Sequence, residues 1–330
     1  MALSPSPSLF RDASAAESGE LDEQATALGR KPLGFSDPKI QNSEMPDSKG
    51  DIPASPMAPL MVQLLYETTP SIDFARLTTK VEEYSGRTDP KTHPRASAKV
   101  AHYFMLDALG QFKEGRLPSQ LCLCRGETPI EPSRLEKALQ QTWDWSEAKQ
   151  VVASATHALI ANDLMAAPLD PKVRNRQFRG FIRAIQETVP CKAMHWMNTQ
   201  QIINPVRFVF QQGEGGAQPL YGSINVRLFN IQGTSVDRLM DTLGLAVLGL
   251  PDIQCHFRDL QPPDVARILY DVAYYVFEHG DIIEDGETVP GVLQNDKWRC
   301  QREMALVGPE RVVLELNPGD QQAAGKRAKG

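Results

Sequence analysis

From Met57 onward the chain switches repeatedly between two hydrophobic periodicities, and that switching limits its fold more than any other feature. Short apolar runs of strand length alternate with stretches whose apolar residues recur every three or four positions. These are the signatures of half-buried strands and of amphipathic helices. MVQLLYE (61–67) suits a buried strand. Pro70 and Ser71 then open IDFARLTTKVEEY, where Ile72, Ala75, Val81 and Tyr84 fall at helical spacing. AKVAHYFMLDAL (98–109) and QLCLCRG (120–126) read as strands. Ser133, with Glu136 three residues on, makes a capping box for a helix over RLEKALQQTW. AKQVVASATHALIAND (148–163) returns to β-branched, partly alternating residues and reads as a strand. The order strand, helix, strand, strand, helix, strand predicts an α+β fold, a ferredoxin-like split βαβ half over 57–166.

A second antiparallel sheet-and-helix half is expected over 167–318. It opens with a helix, PKVRNRQFRGFIRAIQETV (171–189), whose Val173, Phe178, Phe181, Ile182 and Ile185 form one apolar face. KAMHWM, INVRLFNI (224–231) and DIQCHFRDL (252–260) read as strands. Pro262 and Pro263 start the best-marked helix; Val265, Ile268, Leu269, Val272, Val276 and Phe277 make its stripe, and Gly280 stops it. KWRCQREMAL and RVVLELN are late strands. Residues 1–56, rich in Ser, Pro, Asp, Glu and Gly without a sustained period, are expected to be a disordered leader, and 319–330 a disordered tail.

Composition narrows the partners. A net charge of -6 and a pI near 5.6 disfavour nucleic acid and anionic membranes, which reward clustered Lys and Arg. The compact basic run Lys326-Arg327-Ala328-Lys329 reads as a solvated tail. No apolar stretch approaches the ~18–20 residues a membrane helix requires, and the N-terminus lacks the basic and apolar regions of a secretory signal. Cys122, Cys124, Cys191, Cys255 and Cys300, odd in number and irregularly spaced, read as reduced thiols. A cytoplasmic address follows, with signal-independent export as the other route.

Several segments carry a family likeness: Pro129-Ile130-Glu131-Pro132, Ala193-Met194-His195-Trp196, Asp241-Thr242-Leu243-Gly244-Leu245 and Leu248-Gly249-Leu250-Pro251-Asp252-Ile253-Gln254. Gly280-Asp281 and Asp285-Gly286-Glu287-Thr288 add to it. Together they resemble an uncharacterised bacterial family, domain of unknown function 4261, from about Met57 to Asn317 and most strongly after Cys191. Trp196 keeps the family's tryptophan, whereas His195 stands where a large aromatic residue is common. The resemblance bears on fold and implies no activity.

Motif chemistry is sparse. Gly244 and Gly249 have P-loop spacing, but Leu250 and Pro251 stand where Lys and Ser/Thr must be, so no phosphate would be held. The two glycines instead suit positive φ or a close backbone approach. Gly213-Glu214-Gly215-Gly216 is a weaker phosphate candidate. Neither C-x-x-C spacing nor a His pair at i, i+4 signals zinc, and no cofactor or metal site is expected. Cys122 and Cys124, two apart on a strand, share a face and suit a core. Cys191 with His195 is conceivable as a thiol–imidazole pair, whereas the adjacent Cys255 and His256 would point to opposite sheet faces. The acidic run Glu278, Asp281, Glu284, Asp285, Glu287 breaks calcium-loop spacing at Ile283 and reads as a solvated turn. The remaining candidates for acid–base chemistry are His195, Asp241 and His256, beside Trp196 and Thr242, provided their strands are neighbours.

An acidic α+β scaffold without an enzymatic motif points first to a protein-binding module, an immunity, adaptor or chaperone-like factor whose partner is another protein, a basic one matching the charge best. A secreted effector using the leader is the second reading, and an enzyme built on the His195/Asp241/His256 region the third.

Overall fold

The computed structural model describes residues 58–92, 101–126, 130–213, 218–231, 234–293, 295–319 and 321–324. The expected leader (1–56) lies outside them, as do residues 325–330 of the tail and the Gly-rich 214–217. Among the described residues the chain is α+β, with two six-stranded, mainly antiparallel sheets. No described helix is long and apolar enough to cross a membrane.

The first sheet contains β1 (Met61–Tyr66), β2 (Ala101–Phe112), β3 (Gly115–Arg125), β4 (His157–Leu164), β5 (Ala193–Trp196) and β6 (Gln201–Ile203), in the order β2-β3-β4-β1-β5-β6. This is a correction to the ferredoxin-like expectation. A split βαβ places its first strand between the third and fourth, whereas β1 here pairs antiparallel with β4 and β5. The sheet also crosses the expected boundary at 166/167, because β5 and β6 extend it.

Local signals explain most of its elements. Asp73 caps α1 (Phe74–Tyr84) by accepting from the amide of Arg76. The expected strand over 148–163 divides instead: α3 (Ala148–Ser154) precedes β4. Ala148 and Val152 are buried four residues apart, a helical spacing that the β-branched valines disguised. The capping box at Ser133 does not form. Pro132 opens a 3-10 turn that places Ser133 inside it, and α2 (Glu136–Gln140) continues the chain.

The expected helix forms as α4 (Pro171–Thr188), and Asp170 caps it by accepting from the amides of Lys172 and Val173. It packs with α1 on the inner face of the first sheet, where Phe104 meets Phe181 edge-on at 5.7 Å. At Gly180 a Cβ would collide with the carbonyl of Tyr84, so only glycine allows this crossing of α1 and α4. On the opposite face Leu65, Ala158, Ala193 and Ile202 are covered by Leu135, Ala138, Ala148 and Val152 of the α2–α3 region.

The second sheet is β10-β11-β12-β9-β8-β7, from β7 (Asn225–Asn230), β8 (Arg238–Leu243), β9 (Asp252–Phe257), β10 (Thr288–Pro290), β11 (Lys297–Met304) and β12 (Val312–Asn317). β12 and β9 are parallel, so this sheet is mixed rather than wholly antiparallel. The helix after Pro262 forms as α6 (Pro262–His279), and its Val265, Leu269, Ala273 and Val276 are fully buried over the sheet. Part of the expected tail is ordered: Ala323 bridges to Phe257, and Ala324 is buried.

Candidate functional site

The structure does not bring the three sequence-nominated residues together. His195 lies on β5 in the first sheet; Asp241 and His256 lie on β8 and β9 of the second. His195 faces Gln63 across β1, with Nδ1 3.3 Å from Oε1, and burial pulls its pKa down to about 4. Asp241 is engaged by two arginines. It accepts from Arg227 at both oxygens, at 2.8 and 2.6 Å, and from Arg311 at 2.7 Å. The His256 amide donates to Glu315. Cys191 directs its thiol to Gln186 at 3.1 Å rather than to His195.

Asp241 belongs to a buried ionic lattice. Strand register aligns Arg227, Asp241, Gln254 and Glu315 as one row across β7, β8, β9 and β12. Arg311 adds a link to Asp252, whose other oxygen accepts from Thr242 and from the amide of Leu245. The β11–β12 loop folds over this face: Gly308 gives its carbonyl to Arg227, Val307 and Pro309 give theirs to Arg311, and the Leu306 amide donates to Gln254. Asp241, Asp252 and Gln254 are fully buried. Burial raises the Asp252 pKa, opposed by the Arg311 charge. These groups are saturated by one another, which suits architecture rather than proton transfer.

Other expected features resolve similarly. Gly244 has φ +140°, where a Cβ would strike the carbonyl of Ser223, and Gly249 has φ +80°. Positive φ and close approach thus explain the P-loop-like spacing. In the acidic run, Asp281 and Asp285 accept from Arg302 and Glu278 accepts from Lys172. Cys122 and Cys124 share the outer face of the first sheet, the first buried and the second half-buried. No group of three or more His, Cys, Asp or Glu converges to hold a metal ion among the described residues.

The surface feature that sequence reasoning missed is α5 (Pro205–Phe210). Asn204 caps it by accepting from the amides of Val206 and Arg207, and Pro205 occupies its first position. Asn-Pro before an apolar run was the available start signal. Phe208 anchors the helix: it is fully buried, 5.4 Å from the Trp196 ring. The buried Arg179 lies over the Phe208 ring and donates to the carbonyls of Gln218 and Tyr221. With Phe208 inward, the helix turns Val206 and Phe210 outward, 77% and 63% exposed.

The α2–α3 loop is pinned alongside. The Thr142 hydroxyl accepts from the Ile202 amide, and Asp144 pairs with both Arg207 and the Tyr221 hydroxyl. Trp143 between them is 54% exposed. Val206 and Phe210 thus share the outward face of α5, and Trp143 is exposed on the loop that Asp144 ties to Arg207 and Tyr221.

Residues 241–317 match the family described as Domain of unknown function (DUF4261). The chain is similar to that family from β8 to β12, so the match takes in α6, Asp241, Asp252 and Arg311 and leaves out Arg227 and the first sheet. Of the segments carrying the likeness, those from Asp241 onward fall inside it, whereas 129–132 and 193–196 lie outside. No curated protein and no solved structure matches the chain.

Proposed function

We propose that this chain is a protein-binding module, docking another protein on the apolar surface of Trp143, Val206 and Phe210. The observation that carries the reading is the exposure of Val206 and Phe210 on a helix that Asn204 and Phe208 hold rigidly. Solvent-facing apolar groups on a fixed element lose little conformational freedom on binding. Tryptophan, tyrosine and arginine are also the residues that most often dominate interface energetics. The net charge of -6 favours a basic partner, steered by long-range attraction that salt weakens. A cytoplasmic adaptor or immunity-type role is the form of this proposal.

A photo-crosslinking residue at position 210, in the native host, tests it. We expect one discrete adduct, lost in Trp143→Asp and weakened by raised salt. Phe210→Asp should abolish recovery of the same partner while changing unfolding free energy by less than about 0.5 kcal/mol, as for surface positions generally. If crosslinking at 210 matches that at the remote exposed Leu293, the docking reading is wrong.

A further inference from the structure

A second surface feature lies away from α5, where the segment leading into α1 crosses the ends of β2 and β3. Thr69, Ser71 and Phe74 on one side and His102, Leu123 and Arg125 on the other enclose a half-open groove of about 590 Å³, a volume in the range of small-molecule sites. Its chemistry is divided. Phe74 and the buried Leu123 and Leu159 supply an apolar floor. Arg125, exposed at the rim, has no carboxylate within ion-pair reach among the described residues.

His102 forms part of the wall between them. The residue is only 8% exposed, its ring lies tilted by 39° against Phe74 with centroids 3.9 Å apart, and its Nδ1 is buried without a hydrogen-bond partner. Burial, aided by the Arg125 charge, lowers the His102 pKa, so at neutral pH the imidazole is uncharged. A neutral ring there adds polarisable wall to the groove without a competing charge. The Ser71 and Thr69 hydroxyls add donors at the rim.

We propose that this groove binds a small organic oxyanion, a carboxylate or phosphate carried on an apolar body. The guanidinium of Arg125 would take the charge, the Ser71 and Thr69 hydroxyls would donate hydrogen bonds, and Phe74, the neutral His102 ring, Leu123 and Leu159 would receive the apolar part. The site is separate from the docking surface and does not depend on it.

The test is a titration of the full-length protein with benzoate, phenyl phosphate and, as the uncharged control, benzyl alcohol, following the imidazole ¹H–¹⁵N signals of His102. At least one anion should shift these signals saturably, the anion arms separating carboxylate from phosphate. Benzyl alcohol should bind at least about ten-fold more weakly, and Arg125→Gln should weaken the anion by a similar factor, as expected for loss of a charge-assisted hydrogen bond. Arg125 is exposed, so the variant keeps the fold; Phe210→Asp should bind the anion normally. Absence of saturable shifts with both anions, equal binding of benzyl alcohol, or an unchanged affinity in Arg125→Gln would each overturn the proposal.

Discussion

The two sheets exclude water by different chemistry. In the first, the inner face is almost wholly apolar, with Val62, Leu64, Phe104, Leu121 and Leu123 packed under α1 and α4. Its buried charged exception is Asp163, bridged by the buried Arg174, which also donates to the carbonyls of Ala58 and Val247. The second sheet is apolar only under α6. Across β7, β8, β9 and β12 its other face is also dry, yet is built from Arg227, Asp241, Gln254, Glu315 and the overlying Arg311. Apolar packing tolerates many arrangements of similar volume, whereas an ionic lattice accepts essentially one. A one-residue slip of β8 would turn Asp241 toward α6 and take from Arg227 and Arg311 the carboxylate they share. We infer that the first sheet contributes burial and the second fixes register.

The largest effect should come from breaking the lattice. Arg311→Met leaves Asp241 and Asp252 short of a partner in a dry site, and urea titration should show a loss of about 3–5 kcal/mol. Exchanging Arg227, Asp241, Asp252 and Arg311 together for apolar residues of similar volume should recover most of it; failure to recover would mean that polar geometry is essential and not merely compensated. Phe181→Ala in the first sheet should cost about 3–4 kcal/mol by loss of contacts and a residual cavity. Its loss should be nearly independent of pH, in contrast to that of a lattice variant.

A smaller effect should separate the sheets by titration. His195 in the first sheet has a folded-state pKa of about 4 against an ordinary 6.5. The unfolded chain therefore takes up this proton first, so the contribution of His195 is complete above pH 6.5 and is lost as pH falls toward 4. Stability measured at pH 7 and pH 4.5 should differ by on the order of 2 kcal/mol more in the parent protein than in His195→Gln. Equal slopes in the two proteins would show that the first sheet does not hold this imidazole neutral. The smallest effect is expected at Arg302, partly exposed between Asp281 and Asp285. A double-mutant cycle with Asp281 should give about 0.2–1 kcal/mol, well below the buried ion pairs.

Much of the local structure could be read in advance because its causes lie within a few residues. Asp170-Pro171 before α4 and Gly280 after α6 are capping signals, and the stripes of both helices are periodic. The short elements β6, α5 and β10 carry too few residues for a period to register. At 148–154 the valines argued for a strand while their spacing served a helix.

The candidate site was less legible. Asp241 and His256 are adjacent-strand residues, as nominated, but nothing near them in sequence announces that Arg227 and Arg311 would claim the carboxylate. Likewise His102 and Arg125 meet Phe74 only through the sheet.

The sequence by itself determined the α+β class, the two long helices, most strands and the likeness over 241–317, because periodicity, caps and turn residues act on neighbours in the chain. Only the tertiary structure decided the strand order, which kept the first half from being ferredoxin-like. It also decided which acids meet which bases and which apolar residues of α5 face solvent. Those outcomes depend on contacts between segments tens of residues apart, whose pairing is selected by the burial and electrostatics of the whole core.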